Sequence, residues 1–172
     1  KVLSRKGALA GTPTVSASYS RPFIAHGSIG PPCAVARAEG GAIEVWSQSQ
    51  SIHPTRQDIA KTLRIAPDAI TIHHVQGAGC YGHNGADDAA LDAVLLARAV
   101  PGRPVRVQWM REDEFAWEPF GPAMVVKLSA ALGDDGLVAA WHEEIWGNRH
   151  ITRPGRHPNP GLLAAWHRDE RA

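Results

Sequence analysis

The stretch VQGAGCYGHNGADDAALDAVLLARAV, residues Val75 to Val100, joins a glycine-rich loop to a helix. Glycines stand at 77, 79, 82 and 85. Read literally, Gly77-Ala78-Gly79-Cys80-Tyr81-Gly82 fits G-x-G-x-x-G, a pattern found where a backbone turn cradles a dinucleotide. The context is partly right, because a strand precedes the loop and a helix follows it. Two features oppose that reading. The preceding TIHHVQ carries two histidines and a glutamine, unlike a buried parallel strand, and no acidic residue stands near position 102, about 20 residues on. The flanking hairpins are also not expected to build a βαβ unit. The general physics stands without the dinucleotide. Glycines let backbone approach a ligand, and N–H groups at a helix start favour an anion. A tight strand-to-helix turn without any ligand is the alternative.

Outward from the loop, Asp87 and Asp88 fall in the helix's first turn, where negative charge suits the dipole. Ala90, Leu91, Val94, Leu95 and Ala97 supply its apolar face. PGR ends it and PVRVQWM reads as a strand, with REDEFAW a short helix or turn whose charges face solvent. AMVVKLSAAL and LVAAWHEEIW flank Gly133-Asp134-Asp135-Gly136, a hairpin signal. Upstream, TVSASYS alternates as a strand, and β-prone runs flank Glu39-Gly40-Gly41 as another hairpin. HPTRQDIAKTLRI spaces Ile52, Ile59 and Leu63 helically, with Pro54 in the first turn. The tail from Asn148 looks irregular. The pattern predicts an α+β fold of two hairpins, a mixed sheet and two helices, as one domain or part of one over residues 1–172.

Composition excludes several classes. An apolar content of 44% argues against disorder, and a net charge of +1 without a basic run argues against nucleic acid. No apolar run approaches the ~18–20 residues that span a bilayer. No leader is visible and the first residue is Lys1, so the stretch is expected to begin inside a longer polypeptide, its compartment open between cytoplasm and membrane surface. Two cysteines, Cys33 and Cys80, make no disulfide framework. Nine histidines show no metal-ligand spacing, and no G-x-S-x-G elbow occurs.

The order of segments carries more information than any one motif. H-G-S-x-G-P-P precedes a hairpin ending in WSQSQ; a helix, a strand, QGAGCYGHNG, a helix, GRPVRVQWMREDEF and PAMVVKLSAAL follow. Over about Tyr19 to Gly155 this resembles the molybdopterin-binding large subunit of the xanthine dehydrogenase / aldehyde oxidase family. It is most similar to the branch holding the isoquinoline 1-oxidoreductase and nicotinate dehydrogenase large subunits. GHNGADDAALDA and WEPFGPAMVVK resemble the nicotinate type in particular.

The resemblance implies a molybdenum–molybdopterin cofactor, in its cytosine dinucleotide form. It also implies oxidation of an aromatic N-heterocycle or an aldehyde with oxygen from water. Ser49-Gln50 matches the family's Ser/Thr-Gln, so Gln50 is the candidate whose amide approaches an oxygen on the metal. Gly79, Cys80, Tyr81 and Gly82 match the family's glycine-rich loop, with Tyr81 beside the substrate channel and Gly82 next to the metal's oxygen ligand. No direct protein ligand to the metal and no catalytic residue is implied here. The family's base is a glutamate in a G-x-G-E segment that these 172 residues lack. Gly85 and Gly121 stand where xanthine-type enzymes carry a glutamate and an arginine, which makes a purine substrate doubtful. Implied partners are the rest of the large subunit, a [2Fe-2S] small subunit and a cytochrome acceptor, with burial in an oligomer or larger subunit expected. The chain alone is then expected to be inactive. The alternative is a binding or assembly domain that kept the fold and lost the site.

Overall fold

The computed structural model describes residues 12–148, 153–155 and 158–167. These residues form two compact units, one of residues 12–24 and 121–148, the other of residues 25–120, 153–155 and 158–167.

The first unit is an antiparallel sheet of β1 (Val15–Arg21), β6 (Met124–Leu132) and β7 (Val138–Gly147), in the order β1-β6-β7. β6 and β7 are the hairpin expected around residues 133–136. Directly opposed residues share a face. Val15 opposes Ala130 and Trp141; Tyr19 opposes Val126 and Ile145. That face is apolar yet half open, with Val15 53%, Tyr19 59% and Trp141 56% exposed. The other face carries Ser16, Ser18, Lys127 and Glu144, and Lys127 Nζ sits 5.2 Å from the centroid of the Trp146 ring.

The second unit is a four-stranded sheet in the order β4-β3-β2-β5: β4 (Ile70–His74), β3 (Ala42–Ser47), β2 (Cys33–Glu39) and β5 (Val105–Gln108). β2 and β3 form the expected hairpin, and β5 pairs antiparallel with β2. β3 and β4 run parallel, joined through α1 (Ile52–Leu63) and a 3-10 turn (Pro67–Ala69). This βαβ unit corrects the sequence expectation. The histidines that spoke against a parallel strand belong to an edge strand, where His73 stacks on Trp46 at 5.2 Å and one face meets solvent.

Alternation in β2 and β3 buries Ala34, Ala36, Ile43 and Val45 on one face. α1 and α2 (Ala86–Ala99) cover it with Ile59, Ala60, Ala89, Ala90, Ala93 and Val94. Alanines dominate α2's buried face, so its backbone comes close to the sheet. REDEFAW, read as a short helix or turn, is the helix α3 (Arg111–Trp117), and the single turn α4 (Leu163–Trp166) is a further helix in the tail. The tail is less irregular than its composition suggests. Leu162 is fully buried, and Asp58 Oδ2 accepts the N–H groups of Gly155 and Gly161 at 2.9 and 2.8 Å. Among the described residues no helix is long and apolar enough to cross a membrane.

Candidate functional site

The glycine loop, residues 75–85, leaves β4 and enters α2. Gly79, Tyr81 and Gly82 all have positive φ, at 81°, 45° and 133°. For tyrosine that is a strained conformation, and its ring is 61% exposed, folded over Gly79. Such strain, held without compensating burial, marks functional loops. Among the described residues no acceptor takes the backbone N–H of Gly79, Cys80, Tyr81 or Gly82. The loop therefore presents a run of unsatisfied donors at a half-exposed surface. The helix start itself is occupied, since Asn84 Oδ1 accepts Ala86 N–H at 3.2 Å and Asn84 Nδ2 donates to Gly79 O at 3.0 Å. The anion-directed groups are thus those of the loop, with Asn84 holding the loop onto the helix.

Two of the glycines are fixed by close neighbours. A Cβ on Gly77 would fall 1.3 Å from Gln48 Oε1, because that side chain crosses the loop to accept Ala78 N–H at 3.1 Å. A Cβ on Gly82 would fall 2.0 Å from Nδ1 of His26. His26 belongs to the H-G-S segment, and its Nε2 bonds Pro119 O at 2.8 Å while its backbone N–H donates to Glu118 Oε1 at 2.7 Å. Glu118 is 3% exposed, and its Oε2 has no partner among the described residues. Burial raises its carboxyl above the usual range, against the His26 N–H, which lowers it.

The expected solvated face of Arg111–Glu114 holds for Glu112 and Asp113 but not for Glu114. Glu114 is fully buried, accepts Ser28 Oγ–H at 2.7 Å and pairs with Arg111, whose Nη2 also donates to Ile29 O. α3 is therefore an anchor for the H-G-S segment.

The hairpin exit, residues 47–51, meets the start of the loop through Ser47 and Gln48. Val75 N–H donates to Ser47 O at 3.0 Å, Gln48 meets Ala78, and Ser49 bonds Asp87. The glutamine in direct contact with the loop is Gln48. Gln50 is exposed two residues on and, among the described residues, makes no bond to Gly79–Gly82. Asp87 and Asp88, read from sequence as dipole partners, are buried network members, 2% and 7% exposed. His83, the neighbour of Gly82, is 7% exposed and places Nε2 3.1 Å from Asp87 Oδ2. Its i, i+4 spacing to Asp87 was the available signal. Asp88 Oδ1 accepts Leu163 N–H at 2.6 Å, and burial pushes its carboxyl up to about 7. Cys33 and Cys80 are free thiols. Among the described residues, no three or more His, Cys, Asp or Glu side chains are grouped to hold a metal ion.

The order of these segments matches a known family over residues 5–158, that of the molybdopterin cofactor-binding domain. The chain belongs to this family. It is 49% identical over 127 residues to a nicotinate dehydrogenase subunit of Pseudomonas putida, covering 74% of the chain and 11% of that protein. It is 30% identical over 149 residues to the aldehyde oxidoreductase molybdenum-binding subunit of Escherichia coli, covering 86% of the chain and 20% of that protein. Among solved structures, the aldehyde oxidoreductase from Desulfovibrio desulfuricans superposes with a TM-score of 0.64 at 16% identity, over 72% of the chain and 14% of the other. The chain thus spans a fifth or less of the length of these relatives. The α+β architecture is that of a part of the molybdopterin-binding domain.

The loop fits such a cofactor chemically. Open N–H groups suit an oxygen-rich anionic group, and glycine at 82 lets the backbone take a positive φ with the His26 ring packed where a Cβ would stand.

Proposed function

We propose that the chain is the cofactor-binding portion of a molybdenum hydroxylase acting on an electron-poor aromatic N-heterocycle of the nicotinate kind, or on an aldehyde. The observation that carries the reading is the row of unpartnered N–H groups at Gly79–Gly82, in a loop bonded to the hairpin exit through Gln48, within a molybdopterin-binding domain. When bound, molybdenum on its pterin supplies the redox chemistry that no side chain can. Gly79, Cys80 and Gly82 then hold the metal's surroundings through backbone donors. Gln50 adds a side-chain amide, and Tyr81 lines the approach for substrate. The cytosine dinucleotide form of the cofactor and an iron–sulfur partner subunit complete the proposal. The higher identity to a protein named for nicotinate, 49% against 30% for one named for aldehydes, favours the heterocycle.

The test compares the chain alone with the complete enzyme, both made in a host that synthesises molybdopterin. Molybdenum is measured by elemental analysis, pterin by fluorescence after oxidation, and turnover on nicotinate and benzaldehyde. The expected result is metal, pterin and turnover in the complete enzyme and no turnover by the chain alone. Metal and pterin without turnover on any heterocycle or aldehyde would instead fit a binding or assembly domain. Absence of both metal and pterin from the complete enzyme would overturn the cofactor assignment.

A further inference from the structure

We infer that Asp87 is a positioning residue of this site: one buried carboxylate that sets the Ser49-Gln50 turn and the glycine loop relative to each other. The inference rests on the reading just proposed and names the part of the chain that holds its geometry. Asp87 lies in the first turn of α2, 2% exposed. Its Oδ1 accepts the hydroxyls of Ser49 and Thr55, the latter at 3.0 Å, and its Oδ2 faces His83 Nε2 at 3.1 Å. A carboxylate can only accept, so Nε2 of His83 carries the proton of that bond.

The three donors come from three segments: the hairpin exit, the first turns of α1, and the glycine loop. Ser49 is 1% exposed and immediately precedes the exposed Gln50. His83 is 7% exposed and immediately follows the exposed Gly82. In both segments the residue proposed to face the cofactor is open, and its neighbour is anchored on the same carboxylate. Thr55 adds the helix that follows the turn. Ser49 Oγ also accepts Ser51 N–H at 3.0 Å, so the anchor fixes the backbone on both sides of Gln50. Charge complementing a helix dipole needs none of these contacts and is satisfied at the surface. Ser49 and Thr55 also lie 3.2 Å apart on the same oxygen of Asp87, while Ser47 Oγ to Ala86 O is longer at 3.4 Å and Gln48 meets Ala78 in a part-buried position.

Asparagine at 87 keeps one oxygen for the two hydroxyls and turns an NH2 toward His83. Facing that NH2, Nε2 of His83 bonds only as an acceptor, with the ring proton on Nδ1. Three measurements follow. Nitrogen NMR of the full chain should show His83 protonated at Nε2 in the wild type and at Nδ1 in Asp87→Asn. Hydrogen exchange should quicken at least threefold across residues 77–83 in Ser49→Ala, and Ser49→Ala should add nothing further in an Asp87→Ala background, the sign of coupling through one group. In the complete enzyme, Asp87→Asn should lower bound pterin at least fivefold.

A wild-type His83 unprotonated at Nε2 overturns the inference, as does Ser49→Ala that leaves 77–83 unchanged. Neither measurement requires Asp87→Asn to fold. A folded Asp87→Asn with full pterin content also overturns it. A complete wild-type enzyme that holds no pterin removes the cofactor reading, and the exchange and NMR results then judge the anchor separately.

Discussion

Gly82 is constrained twice, by its left-handed φ of 133° and by the His26 ring where a Cβ would go. The two effects are separable. Gly82→Ala should lower stability by about 2–4 kcal/mol, combining backbone strain with overpacking. Adding His26→Ala removes the collision but not the strain, so it should recover about half of the loss in thermal unfolding. The two glutamines of SQSQ divide in the same way. Gln48→Ala leaves Ala78 N–H without its partner and should cost about 1 kcal/mol. Gln50→Ala, at an exposed position, should change stability by less than about 0.5 kcal/mol while lowering turnover of the complete enzyme. Sequence alone cannot assign the contact. Positions 48 and 50 share a side in an extended strand, and only the turn at Ser49, whose N–H meets Ser47 Oγ at 3.2 Å, parts them. The motif points to Gln50, whereas the contact with Ala78 falls to Gln48.

At the scale of elements, the hairpins, α1 and α2 were legible, because glycine turns and apolar periodicity are local signals. The parallel pairing of β3 with β4 was not, since an edge strand is free to carry the histidines that disguise it. Nor was the burial of Glu114, whose Ser28 partner lies 86 residues away. Glu114→Ala should cost about 3 kcal/mol and loosen the H-G-S segment, because Arg111 and Ser28 lose their shared acceptor. α2 carries a pH response. Burial is the main cause of Asp88's rise from 3.8 to about 7; Leu163 N–H opposes it, and Asp87 and Asp92 add repulsion. The folded chain therefore holds the proton more tightly than the unfolded chain. The stability this contributes is full below about pH 4 and is lost as pH rises to about 7. Asp88→Asn keeps an acceptor for Leu163 and avoids the buried charge. Its unfolding midpoint should exceed the wild type's at pH 8, and the gap should narrow steadily toward pH 4.

At the scale of the whole molecule, the sheet of residues 12–24 and 121–148 exposes one apolar face. Tyr19, Trp141 and Val15 are each more than half open. Surfaces of this kind associate unless covered. The chain alone should therefore sediment with a weight that rises with concentration, and Tyr19→Lys with Trp141→Ser should reduce that rise. The tail has a different consequence. The four-stranded sheet is complete once β5 ends at Gln108, yet Asp58 and Asp88 wait for the N–H groups of Gly155, Gly161 and Leu163. Between them the ribosome must deliver the β6–β7 hairpin of the other unit. The two helix carboxylates of the unit that holds the loop can thus meet these partners only after the whole β6–β7 hairpin has been made.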